Sequence, residues 1–113
     1  MKKREYRDFI NDIIDSIHDI DQFIGDISYE EFVKDRKTIN AVIRSIEIIG
    51  EAAKNIPDSV KDKNTAIPWK KMSGMRDKLI HGYFGIDYEI LWKTVKDDLP
   101  PLIPIVKKLN EIK

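Results

Sequence analysis

Apolar side chains recur along this chain at steps of three and four, with charged residues filling the positions between them. Over residues 4–24 the repeating set is Tyr6, Phe9, Ile13, Ile17, Ile20 and Ile24, the spacing of one helix face. Ile10 and Ile14 widen that face toward a second packing partner. Gly25 and Asp26 end the helix, and Ser28 followed by Glu31 has the form of a capping box. A short helix over about 29–34 should follow, with Phe32 and Val33 inward. The second long helix spans residues 36–56 on Ile39, Val42, Ile46, Ile49, Ala53 and Ile56, with Ile43, Gly50 and Ala52 as a second, smaller strip. Gly50 costs a helix roughly 1 kcal/mol against alanine, so a close approach by another helix is expected there, with a second subunit as one source. Pro57 stops this helix.

Residues 57–67 read as the longest connector, with Val60 anchoring a short turn. Pro68 can open a third helix as a first-turn proline. That helix runs through WKKMSGMRDKLIHG, with Trp69, Met72, Met75 and Leu79 as its core side, Ile80 adjoining and Gly82 ending it. Asp87 is the next N-cap, and Ile86 and Leu91 have the spacing of a hydrophobic staple. A helix over about 88–97 buries Leu91, Trp92 and Val95. Pro100 and Pro101 interrupt the chain before a last helix carrying Leu102, Ile105, Val106, Leu109 and Ile112. Pro104 is awkward for any helix starting before about residue 101. No strand-like alternation persists. The pattern predicts an all-α fold: an antiparallel up-and-down four-helix bundle with one or two additional short helices, as a single domain over residues 1–113.

Composition narrows the function. Twenty basic and twenty acidic residues cancel, which argues against broad phosphate-backbone binding but leaves room for a local basic site. There is no cysteine, so disulfides, thiolate metal sites and cysteine nucleophiles are excluded. The histidines His18 and His81 are far apart and no metal-ligand spacing is present. No apolar run reaches the roughly 18 residues of a membrane span, and the N-terminus lacks the apolar block of a secretory signal. A cytoplasmic protein fits these features. Asp8, Asp12, Asp15 and Asp19 lie off the first helix's stripe and read as a solvated face, since nothing nearby completes a metal site. His18 reads as a surface or boundary residue.

Candidate chemistry concentrates in GMRDKLIHGYFGI, residues 74–86. Arg76 can hold a phosphate through paired hydrogen bonds. His81 can exchange a proton near neutral pH. Asp77, one turn before His81, can orient or charge the imidazole, and Tyr83 adds a hydroxyl past the helix end. The same residues also admit a structural reading, with His81 capping carbonyls and Arg76 in a surface salt bridge. Five residues of ideal helix rotate about 500°, leaving Arg76 and His81 some 140° apart. Either the helix loosens before Gly82 or the site draws on two copies of the motif. Glu47 and Glu51, one turn apart on the second long helix, are either ordinary surface acids or the source of a carboxylate that orients an arginine.

Beyond the motif, AVIRSIEIIGEAAKNIP at 41–57, IPWKKMSGMRDKLIHGYFGID at 67–87 and LWKTVKDDLP at 91–100 closely resemble the HEPN superfamily, and within it the HepT toxins of HepT–MNT (type VII) toxin–antitoxin systems. The family motif R-x4-H-x-Y is met by Arg76, His81 and Tyr83, and the polar residue that often follows the arginine is Asp77. The resemblance implies a helical bundle, a homodimer that brings two motifs together, and metal-independent cleavage of RNA with no cofactor. It implies Arg76 and His81 as catalytic residues, Asp77 in support, and neutralisation by a nucleotidyltransferase antitoxin that adds AMP to Tyr83. A related class of domain binds nucleotide or substrate for a minimal nucleotidyltransferase without cleaving anything, and a plain helical dimerisation protein is a third reading.

Overall fold

The computed structural model describes residues 4–79 and 85–111, and its regular structure there is helical, without a strand. The first helix, α1 (Tyr6–Ile24), runs uninterrupted and buries Ile10, Ile13, Ile17, Ile20 and Ile24. Its start is closed by a reciprocal pair: Asp8 accepts from the Glu5 amide and Glu5 accepts from that of Asp8. Gly25 ends it at φ 46°, a left-handed conformation that an L side chain rarely adopts. Of the four aspartates off the stripe, Asp15 and Asp19 are exposed, and Asp12 pairs with Arg4 at 2.9 Å. His18 is exposed, as the pattern implied.

The capping box at Ser28 and Glu31 forms, and it starts α2 (Tyr29–Phe32), whose Phe32 is fully buried against Trp92. Next comes α3 (Arg36–Lys54), with Asp35 as N-cap: its carboxylate accepts from the Thr38 amide and hydroxyl. Those bonds hold the Asp35 carboxyl below its usual range. The apolar set of α3 is buried as its spacing requires, from Ile39 to Ile56 just past its end. Through these faces α3 packs against α1 on one side and against α5 and α6 on another, while α8 closes on α1. Asn110 of α8 donates to Asn11 of α1 at 2.6 Å, tying the last helix to the first.

Three boundaries differ from the sequence reading, and the close approach of another helix expected at Gly50 is present. The 57–67 connector contains a helix, α4 (Asp58–Lys63), which packs through half-buried Val60. The third helix is two short ones, α5 (Trp69–Ser73) and α6 (Met75–Leu79), separated at Gly74, and Pro68 sits one position earlier than expected, as the N-cap of α5. The close approach at Gly50 comes from within the chain. A β-carbon there would lie 3.3 Å from the Ser73 carbonyl oxygen and 3.4 Å from that of Met72, so the small residue seats the end of α5 and no second subunit is needed to explain it. Finally, α7 (Tyr88–Lys93) runs into a widened turn over Thr94–Asp98, with the Leu99 amide donating to Thr94 at 3.0 Å. This i→i+5 bond lays Leu99 over Thr94, and both are buried with Val95.

The last helix, α8 (Leu102–Glu111), starts late enough that Pro104 falls in its first turn, where the missing amide costs no helix bond. Leu102, Val106 and Leu109 face the core, whereas Ile105 is exposed, against expectation. Ile80, Gly82 and Ile112, assigned above to helix faces and a helix end, lie outside the described residues.

Candidate functional site

The arginine of the motif is presented by a five-residue helix. Met75 and Leu79 anchor α6 in the core, and Arg76, Asp77 and Lys78 between them are exposed. Two buried anchors in five residues fix the helix's rotation, so the outward direction of Arg76 is set by packing rather than by its own contacts.

Its partner comes from α3. Arg76 Nε lies 3.3 Å from Glu47 Oε2, and Arg76 Nη1 lies 3.8 Å from Asp77 Oδ1. The two acids are not equivalent. The Glu47 side chain is 34% exposed and sits where α3 meets α6, while that of Asp77 is 83% exposed. The longer, solvated Asp77 contact carries little. The Glu47 contact engages the Nε edge, and the Arg76 side chain remains 47% exposed. A carboxylate at Nε is a way to aim the fork of an arginine without occupying all of it. Glu47 was one of two acids that could orient an arginine. The other, Glu51, instead pairs with Lys54 at 3.5 Å.

Asp87, the N-cap of α7 through its bond to the Ile90 amide at 3.1 Å, also donates its own amide to the Leu79 carbonyl at 2.9 Å. The end of α6 and the start of α7 are thereby joined. Half-buried Ile86 and fully buried Leu91, the expected staple pair, enter the same core. His81 and Tyr83 lie between these joined ends but outside the described residues. The structure therefore brings Arg76, Asp77 and Glu47 together. Among the described residues no cluster of acids and histidines could hold a metal ion, and no helix is long and apolar enough to cross a membrane.

The described residues form a small helical domain that presents Arg76, paired with Glu47, from a short anchored helix. The comparisons give that class a family. The model of the family described as Ribonuclease HepT-like matches residues 13–109, and the chain belongs to it. It is 50% identical over 109 residues to the probable ribonuclease HepT of Thermococcus cleftensis, covering 96% of this chain and 99% of that one. A Methanocaldococcus jannaschii protein provisionally named an RNase is 48% identical over 112 residues, with 99% and 90% covered. A second so named from that organism is 47% identical over 102 residues, with 90% and 94% covered. No solved structure matches the chain.

Proposed function

We propose that this protein is a metal-independent ribonuclease, the toxin of a type VII HepT–MNT pair. The observation that carries the reading is the Arg76–Glu47 contact: in a chain of a ribonuclease family, the one motif residue whose side chain is described is exposed, anchored and aimed. RNA supplies its own nucleophile, the 2′-hydroxyl. In the proposed step that oxygen bonds to the adjacent phosphorus and the bond to the 5′-oxygen breaks. His81 either takes the proton of the 2′-hydroxyl or donates the proton that the departing 5′-oxygen needs, and water exchanges the other. Arg76 stabilises the added negative charge on the phosphoryl oxygens, and preorganised electrostatics of this kind usually gives the greatest part of the rate gain. Asp77 supports the imidazole.

The active arrangement in this reading is an antiparallel up-and-down bundle that pairs as a homodimer, two copies of the motif facing one cleft. That pairing answers the angular mismatch between Arg76 and His81 along one helix. The partner antitoxin is a minimal nucleotidyltransferase that adds AMP to Tyr83. The adduct places bulk and negative charge in the cleft and repels RNA. The test is RNA cleavage by the purified protein in EDTA, beside Arg76→Ala and His81→Ala. Wild type should cleave and both variants should not. Equal cleavage by all three ends the catalytic assignment, and dependence on added Mg²⁺ ends the metal-free mechanism. Binding of nucleotide without any cleavage would favour the non-catalytic partner of a nucleotidyltransferase.

A further inference from the structure

The zero net charge of this chain hides a segregation. Residues 70–78 hold Lys70, Lys71, Arg76 and Lys78 against one acid, Asp77. Two cavities lie along this segment and share Lys71. The wider, open and about 640 Å³, is bordered by Lys61, Lys70 and Lys71, with Asp62 its only acid. The narrower, about 190 Å³, lies between α6 and α7. Lys71, Lys78 and Lys93 border it over the apolar atoms of Met75, Leu79 and Ile90. Its one acid, Asp98, is bound to Lys93 at 3.0 Å. Among the described residues Lys61, Lys70, Lys71 and Lys78 make no ion pair.

We propose that the two cavities form one groove for the backbone of single-stranded RNA. The narrower cavity takes one unstacked base, and Lys71 at the junction holds a phosphate. The name RNA rests on the ribonuclease reading above; the basic groove does not. Unpaired ammonium groups beside a recessed apolar floor are the combination that single strands use, charge along the backbone and an apolar face for the base. A duplex keeps its bases stacked inside and cannot fill such a recess. An acidic protein surface would satisfy the lysines but leave the recess empty. Arg76 lines neither cavity: on α6 it lies about 160° around the helix from Lys78 and turns to Glu47 on α3.

The test uses the full chain and a short single-stranded 2′-O-methyl oligonucleotide, which lacks the attacking hydroxyl and reports binding alone. Fluorescence anisotropy at several salt concentrations gives the slope of log K against log salt, and each lost phosphate contact to a single strand lowers that slope by about 0.7. The Lys71→Gln/Lys78→Gln double variant should bind more weakly, with the slope reduced by about 1.4. A Lys37→Gln/Lys108→Gln variant outside the groove should match wild type. Equal affinity and slope in groove variant and wild type overturn the groove, as does tighter binding of a duplex or lysine-dependent binding of an acidic protein only. Cleavage of unmodified RNA is measured alongside. If wild type cleaves while the groove variant binds as well as wild type, the groove fails and the ribonuclease stands. If wild type does not cleave but binds through these lysines, the groove stands and the ribonuclease fails. Thermal melts of both double variants should match wild type, because all four side chains are exposed.

Discussion

Two regions of this molecule share one partner and are built in opposite ways. α1 is 19 residues of unbroken helix with five aspartates and one arginine. α5 and α6 are five residues each, interrupted at Gly74 and basic on their outer side. Both pack on α3. On α1 the buried set is long enough to define the helix by itself, so its polar face is free to be plain solvated surface. On α5 and α6 each helix has only two buried anchors, and the exposed residues between them carry the candidate chemistry. A long helix supplies stability, while a short one supplies direction. Glu47, on the shared helix, connects the two through its ion pair with Arg76.

The largest expected effects would separate these roles outright. Ile13→Ala empties a fully buried position of α1 and should cost about 2–5 kcal/mol in urea unfolding, with activity per folded molecule retained. Arg76→Ala should do the reverse. Cleavage should fall by about 10²–10³-fold, as when one preorganised donor is lost, while stability moves by under about 1 kcal/mol because the ion pair is largely solvated. A reversal of either result would erase the division between scaffold and site.

Two glycines come next, Gly50 where α3 receives α5 and Gly74 between α5 and α6. Gly50→Ala gains helix propensity but presses a β-carbon against the backbone carbonyls that close α5. Overpacking of about 1–3 kcal/mol outweighs a gain of about 1 kcal/mol, so the thermal midpoint should fall. At Gly74 a β-carbon would meet only the Lys70 carbonyl oxygen, at an ordinary 3.6 Å, and the backbone is not left-handed. Gly74→Ala should leave the midpoint unchanged or raise it. If Gly50→Ala also stabilises, the tight seat of α5 on α3 is not real.

Glu47→Gln tests the link itself. It keeps the shape and removes the charge that aims Arg76. Cleavage should lose about tenfold in kcat, which corresponds to about 1.4 kcal/mol, with KM and thermal midpoint unchanged. Glu51→Gln should change neither, since Glu51 turns to Lys54. An equal loss from both would mean that charge near α3, rather than the particular contact, matters.

The helical periodicity was legible because burial of one face every three to four residues is a one-dimensional pattern. Ile13, Ile46 and Leu91 are buried for the reason their spacing implies. The break at Gly74 was not legible for the same reason. Met72, Met75 and Leu79 keep their steps of three and four across it, so the apolar pattern passes through a point where the backbone does not. Glu47 could be nominated but not chosen over Glu51, because the choice depends on how α3 packs against α6, two elements far apart in sequence. The lysines around Lys71 were missed because charge was summed over the whole chain. A tally by segment would have marked residues 70–78.

The smallest expected effect concerns the start of α3, on which both regions rest. Asp35 accepts the Thr38 hydroxyl at 2.7 Å and the Thr38 amide at 3.1 Å, and these bonds hold its carboxyl below the usual value. A carboxyl with a lower pKa folded than unfolded contributes stability above its unfolded pKa and loses it as pH falls through the folded one. Asp35→Asn keeps a good N-cap but cannot titrate, and the Thr38 hydroxyl can rotate to accept from the new amide group. At neutral pH wild type should therefore melt slightly above the variant. The gap should narrow below about pH 4, the unfolded carboxylate range, and close at lower pH. Thermal melts of both proteins across that range measure it. A constant gap would mean that the cap acts through geometry alone and that α3 enters acid with its first turn intact. In that case any earlier acid loss of cleavage does not come from the cap of α3.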